Sequence, residues 1–466
     1  MLEVRATVNP SVLFLCLAEC LTTLRVYWLD DRMNSMKTAI VVLLTMVSLP
    51  VMAMDLLDTY RLAQSNDPAW RATLNTYLAE QQNEAIAYGG LLPNVSAFGT
   101  VNRSRFDPDV SPETFLSTNR QYSLSVRQPV FSPERWARYQ QAKVSTHLND
   151  ATLRADQQAF VLKVAEAYFK VLQAEAQLAS LRAEEDAFNR QHQMMQARFK
   201  AGVVARTDVT EALAQYQSAI ANRISAEVNI TASREELTAI LGQPVGQLAE
   251  LRQDLPYEPP YPAQIMDWEA LAKQHNPNIA VARLRADVAE QNRQIQRAGH
   301  KPRLDLIGSA SENKQDLSLQ SFNDGRSLSV GLELSIPIYS GGQVTRSVRQ
   351  AAYQADAARD QITATERQAT SQVRSAFLNL QADQARIAAR QAAVESGDVV
   401  AEASQVGYEL GVRNIVEVLL AQRSAFAARR DFIAARYDYV INVLRLRAAA
   451  GQLTANDLAE INTWLK

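Results

Sequence analysis

Few residues in this 466-residue chain are spaced for catalysis. The four histidines, His147, His192, His275 and His300, are scattered and are expected at exposed polar positions on helices and turns. There is no HExxH pair, no nucleophile elbow and no phosphate-cradling glycine loop. Both cysteines, Cys16 and Cys20, fall in the first twenty residues, which excludes a disulfide scaffold, a cysteine-ligated zinc site and a cysteine nucleophile downstream. No enzymatic activity, metal or cofactor is expected. Polar chemistry gathers instead in two turn sequences, RFKAGVVARTDVTEA from Arg198 and GYELGVRNIVEVLLA from Gly407. Groups of both signs lie close together there. The same residues also read as turn punctuation, with Gly202 and Gly411 ending helices and Asp208 standing as an N-cap.

The composition is that of an ordinary folded protein, 47% hydrophobic and 21% charged, with 48 Lys+Arg against 50 Asp+Glu. A disordered tail and a basic nucleic-acid binder are excluded, and no nucleic-acid partner is expected. The longest apolar run, Ile40 to Val47, is far short of the roughly 20 residues a spanning helix needs. Residues 1–53 read as an upstream extension plus a secretory signal peptide: Lys37 is the charged start, Ala39 to Leu49 the apolar core and Val51-Met52-Ala53 the cleavage site. Translation starting at Met33 or Met36 would account for the extension. No cysteine follows the expected cleavage site, so no lipid anchor is expected.

The remainder is written twice. At a constant offset of 209 residues, Asp67-Pro68 matches Asn276-Pro277, Pro93 matches Pro302, AEAYFKVLQAEAQL from Ala165 matches RSAFLNLQADQARI from Arg374, and Gly202, Asp208, Ala212 and Gly242 match Gly411, Glu417, Ala421 and Gly451. Residues 54–242 and 268–451 are the two copies, 243–267 a Pro-rich irregular connection and 452–466 a tail. Each copy opens with a helical stretch (Leu56 to Tyr88; Trp268 to Ala298) and a Pro-marked break. Two strands follow, the first around Asn94 to Arg105 or Arg303 to Ser311. In the second, Tyr122, Leu124, Val126, Gln128 and Val130, or Leu328 to Ile338 at every other position, share one face. The hairpin loops are expected at Asp107 to Asn119 and Asn313 to Arg326. Pro133 to Lys200 then reads as a helix of about 100 Å at 1.5 Å per residue, and Gln343 to Val406 as its counterpart. Asp208 to Leu241 and Glu417 to Ala450 return at half that length. Ala174, Ala176, Ala179, Ala183 and Ala187 allow close packing between long neighbours.

Strands of about ten residues match a tilted β-span of a bilayer. Four of them cannot close a barrel, and an open edge in lipid costs several kcal/mol per unpaired group. A membrane reading therefore requires oligomerisation, and three copies give an even twelve strands.

The signal peptide, the duplication, QPVFSPERW (Gln128 to Trp136), SIPIYSGGQ (Ser335 to Gln343) and GYELGVRNIVEVLLAQ from Gly407 together resemble the TolC family of outer-membrane channels over essentially the whole mature chain. The resemblance implies an α+β membrane protein in which a homotrimeric, 12-stranded outer-membrane β-barrel, four strands per protomer, is continued by a long periplasmic α-helical barrel. It implies a Gram-negative outer-membrane location in contact with outer-membrane lipid, and docking of a periplasmic adaptor and an inner-membrane ABC or proton-driven pump. Gating positions correspond to Tyr408 and Arg413, with partners Thr207 and Asp208: Tyr408 to Asp208 within a protomer, Arg413 to Thr207 or Asp208 of the neighbour. Glu417 matches one acidic ring of the lumen, the family's second is Leu420 here, and Glu211 is the candidate compensating acid. The expected role is an exit duct for type I protein secretion, with small-molecule efflux as the alternative cargo and a soluble periplasmic coiled-coil adaptor as the alternative of another class.

Overall fold

The structure is a computed structural model that describes residues 53–106, 115–317 and 325–466. The chain separates into two units, Met1–Ala53 and Met54–Lys466. The expected signal peptide and both cysteines lie outside the described residues, as do the hairpin tips 107–114 and 318–324. None of the described helices is long and apolar enough to cross a membrane.

The second unit begins with α1 (Leu56–Asn66) and α2 (Pro68–Gly89), then β1 (Asn94–Phe106) and β2 (Phe115–Phe131), α3 (Pro133–Lys200) and α4 (Arg206–Leu241). The second copy repeats the order as α5 (Ile265–His275), α6 (Pro277–Ala298), β3 (Arg303–Leu317), β4 (Gly325–Ser335), α7 (Gln343–Glu409) and α8 (Ile415–Ala449); α9 (Ala455–Asn462) closes the chain. Each opening stretch expected as one helix is two. Proline at N1 is pre-set for a new helix, and the preceding residue caps it: Asp67 accepts from the Ala69 amide at 2.8 Å and Asn276 from the Asn278 amide at 2.9 Å. Asp67 is further held by Lys163 at 3.0 Å. The irregular connection ends at Gln264, since α5 starts three residues before Trp268, and the C-terminal tail contains a helix whose capping box joins Thr454 and Asp457.

The four strands form one antiparallel sheet in the order β1-β2-β3-β4, so the β2–β3 pairing joins the two copies. The strands run further than alternation suggests: β2 begins at Phe115 and β3 ends at Leu317, shortening both expected loops. Conversely, β4 stops at Ser335, leaving Ile336 and Ile338 outside it. A bulge between Pro129 and Phe131 sets Phe131 opposite Leu304 and interrupts the alternation at Val130. In register, Val95, Leu124, Ala310 and Leu328 share one face with Val126, Val330, Leu332 and Leu334. On β4 these side chains are 61–82% exposed, a contiguous apolar surface suited to lipid. The opposite face is a serine ladder, with hydroxyl pairs Ser96–Ser125, Ser309–Ser329 and Ser311–Ser327 at 2.7–2.8 Å, and Arg127 bridges Asp305 and Glu333 at its base.

The long helices hold 68 and 67 residues and their return partners 36 and 35. Helices α2 and α6 pack on the sheet-proximal half of α3 and α7, and α4 and α8 on the distal half. The main core is a belt at mid-length, where α1, α5, α9 and the connection wrap the long helices. Tyr168 is its hub: fully buried, it places its hydroxyl 3.0 Å from the Ala249 carbonyl and 3.1 Å from that of Met54, and burial pushes the phenol pKa up. Below the belt, Arg430 of α8 pairs with buried Glu184 of α3, linking the copies; burial raises the Glu184 pKa while the guanidinium opposes it. Ala179 and Ala183 are exposed in the protomer.

Gly451 ends α8 at φ +76°, and a Cβ there would overlap the His275 carbonyl and come within 2.6 Å of Asn276 Cα. Gly411 has the same φ but open space around it. The left-handed conformation alone costs a non-glycine residue about 1–2 kcal/mol, so Gly411→Ala is expected to cost about that much and Gly451→Ala distinctly more, read as the shift in urea midpoint of each variant.

Candidate functional site

Both long helices end in the same turn, some 100 Å along the helix axis from the sheet. At the first, the Gly202 amide donates to Phe199 O at 2.9 Å and the Val203 amide to Arg198 O at 2.9 Å; at the second, Gly411 donates to Tyr408 O at 3.1 Å and Val412 to Gly407 O at 2.9 Å. With φ +75° and +76° at the glycines, these are two Schellman closures in duplicate positions, as expected for Gly202 and Gly411.

The following helices start differently. Asn414 caps α8, accepting from the Glu417 amide at 2.9 Å and donating to the Glu417 carboxylate at 2.8 Å. The cap of α4 is Ala205, without a side-chain bond. Asp208 is therefore not the expected N-cap but lies within the first turn, where its charge favours the helix dipole. Its carboxylate accepts from the Thr207 hydroxyl at 3.3 Å. Glu211 lies one turn on, exposed and in no ion pair with a described residue.

Tyr408 does not reach Asp208 in the protomer. Its hydroxyl donates to Met195 Sδ at 3.2 Å and its ring lies under Arg198, guanidinium carbon 5.0 Å from the centroid. Where α8 packs against both α3 and α7, Tyr408 lies against a small apolar cluster that includes Phe188, Met195, Ala212, Ile415, Val418 and Leu419. The first copy thus holds the second through sulfur, cation and ring. Arg413 folds back: its guanidinium donates to Ser404 Oγ at 2.7 Å and lies 3.9 Å from Glu417. Gly407 makes room for this, since a Cβ there would sit 3.1 Å from Arg413 Cγ. Arg413 remains 43% exposed, with donors to spare. Leu420 is 62% exposed in the protomer.

One histidine departs from its expected exposure. His192 is buried, stacked on Tyr216 at 6.0 Å with Gln196 at 3.0 Å from Nε2, because this face of α3 meets α4. His147, His275 and His300 are exposed, and no metal-holding cluster occurs among the described residues. Met195, Arg198, Ser404 and Asn414 were not singled out from the sequence. Asn414 was findable, since Asn three residues before Glu at a helix start is a capping signal. The Met195–Tyr408 contact spans 213 positions and leaves no local trace.

The profile of the family described as outer membrane efflux protein matches the chain twice, over residues 59–243 and 268–452. The outer membrane protein TolC of Vibrio cholerae is 32% identical, with 90% of this chain and 96% of that protein covered. The alkaline protease secretion protein AprF of Pseudomonas aeruginosa is 31% identical over 87% of this chain and 86% of its own. The crystal structure of the outer membrane protein VceC from Vibrio cholerae superposes with a TM-score of 0.71 at 20% identity, covering 85% of this chain and 96% of that one. The two family segments stand at the same 209-residue offset as the internal repeats. The matched family is one of outer membrane efflux proteins, which sets aside both the enzyme and the soluble-adaptor readings.

A Tyr408→Phe, Met195→Leu double-mutant cycle should give a coupling of roughly 0.5–1.5 kcal/mol in urea unfolding. Zero coupling would mean that hydroxyl and sulfur share no contact.

Proposed function

The chain belongs to the outer membrane efflux protein family, and on that premise we propose that it is the exit duct of a tripartite export system, carrying type I secreted proteins. Three protomers close a barrel of twelve strands, and their helices make a tunnel that receives cargo from a periplasmic adaptor and an inner-membrane ABC or proton-driven pump. The sheet supports this reading by having a lipid-compatible face and, among the described residues, no strand partner for β1 or β4 along its outer edges. The observation that carries the choice of cargo is the 31% identity to the alkaline protease secretion protein AprF over 87% of this chain. The family's description keeps small-molecule efflux as the second reading.

The helical tip is the gate. Tyr408 anchors the second hairpin on the first, and Arg413, free to leave Ser404, bonds Thr207 or Asp208 of the neighbouring protomer. Both acceptors are at the surface of the tip, and three such contacts add up while each stays weak enough for a docking partner to release. Glu417 supplies one acidic ring at the mouth and Glu211 a possible second, concentrating negative potential that favours cations, with Leu420 contributing no charge.

Deleting the gene and assaying both released proteins and sensitivity to toxic compounds decides the cargo. Lost secretion is expected; intact secretion with lost tolerance would assign efflux. Arg413→Ser combined with Tyr408→Phe should raise single-channel conductance severalfold in a planar bilayer, and an unaltered closed state would remove these residues from the gate.

A further inference from the structure

The apolar face of the sheet changes character at one level. Towards the hairpin tips, Val101 gives way to Arg103 and Arg105 on β1, Tyr122 to Arg120 on β2, Ala310 to Glu312, Lys314 and Asp316 on β3, and Leu328 to Arg326 on β4. Strand register brings these positions to a common height: Tyr122 stands opposite Glu312, and Glu312 opposite Arg326. On the other face at that height every described residue is neutral, among them Asn102, Asn119, Gln121, Asn313 and Ser327. A rim that merely solvated the barrel would charge both faces alike.

The described rim residues carry five cations and two acids, and Arg105 is already engaged; the adjoining hairpin tips add Asp107, Asp109, Glu113 and Asp324 in sequence. Arg120 and Lys314 are direct cross-strand partners, a like-charge pairing that disfavours the sheet unless an anion sits between or beside them. They lean apart, Arg120 to Asp316 at 2.7 Å and Lys314 to Glu312 at 3.2 Å. Glu312 is also shared with Arg326, whose side chain is 84% exposed and only 3.4 Å away. Arg103 is exposed and has no ion-pair partner among the described residues. Directly below lies a band suited to acyl chains, about 20 Å long measured along β4 from Leu328 to Leu334.

We infer that this rim binds the phosphate groups of outer-leaflet lipid, with the acyl chains of the same molecule lying on the apolar band. Guanidinium forks match phosphate oxygens, and their placement just above the apolar band matches where a lipid phosphate sits. This rests on the outward orientation of that face in the barrel, which the family membership supports. It is independent of the cargo and of the gate.

The full chain, purified as its native oligomer in detergent, is titrated with bisphosphorylated lipid A and with the same lipid after phosphatase treatment, and bound lipid is read by native mass spectrometry. The phosphorylated form should bind at least about tenfold more tightly, weaken with salt and resist displacement by inorganic phosphate, which lacks the chains. The triple variant Arg103→Gln, Arg120→Gln, Lys314→Gln should lose that preference, whereas Asn102→Gln and Gln121→Asn on the opposite face should keep it. Equal binding of the two lipids by the unaltered protein overturns the inference. Displacement by inorganic phosphate alone would also overturn it, by making the site one for free anions. Loss of oligomer in the triple variant leaves the two-lipid comparison on the unaltered protein to decide.

Discussion

The unpaired edges of a four-stranded sheet govern this molecule. Along β1 and β4 the backbone amides and carbonyls on the outer side have no strand partner among the described residues of the protomer. Exposed to lipid, each would cost several kcal/mol. In water such an edge would recruit whatever strand came by. With an outward face too apolar for solvent, the sheet is stable only as a segment of a closed ring. The duplication makes the segment large enough to be useful: β2 pairs with β3 across the two copies, so each protomer adds a continuous arc instead of two separate hairpins.

The helices carry that geometry away from the membrane. Their stabilising contacts are unevenly spread. The mid-length belt around Tyr168 gathers most of the buried aromatic and aliphatic side chains together with α1, α5 and α9, whereas the tip has a handful of buried residues and polar bonds that local changes can exchange. Elements with few buried contacts open at low free energy. The same long helix is therefore clamped at its middle and free to shift at its end. The duplicated glycine closures at Gly202 and Gly411 keep both tips tight while leaving their side chains to diverge: Asn414 caps one helix by a side chain and Ala205 starts the other without one.

Much of this was legible in the sequence because it is periodic. Two-residue alternation set the strands, unbroken helical sequence set α3 to the residue, and repeated matches at one offset set the duplication. Legibility failed where a single residue interrupts a period. Asp67 and Asn276 each end one helix and cap the next, which a window over the whole stretch averages away, and the bulge at Pro129 to Phe131 shifts the face that alternation assigns. Burial of His192 escaped for another reason: nothing in its own neighbourhood tells which face of α3 meets α4.

The sequence by itself determined the element order, the lengths that separate membrane from tip, and which residue types cluster at the turns, since these depend on neighbours along the chain. The tertiary structure alone decided the partners. Tyr408 meets Met195 and Arg198 rather than Asp208, Arg413 turns back to Ser404, and the described charges nearest the hairpin tips share one face of the sheet. Such pairings are set by how helices and strands distant in sequence come to lie side by side, and side-chain contacts of a few ångströms depend on that register, which no local pattern encodes.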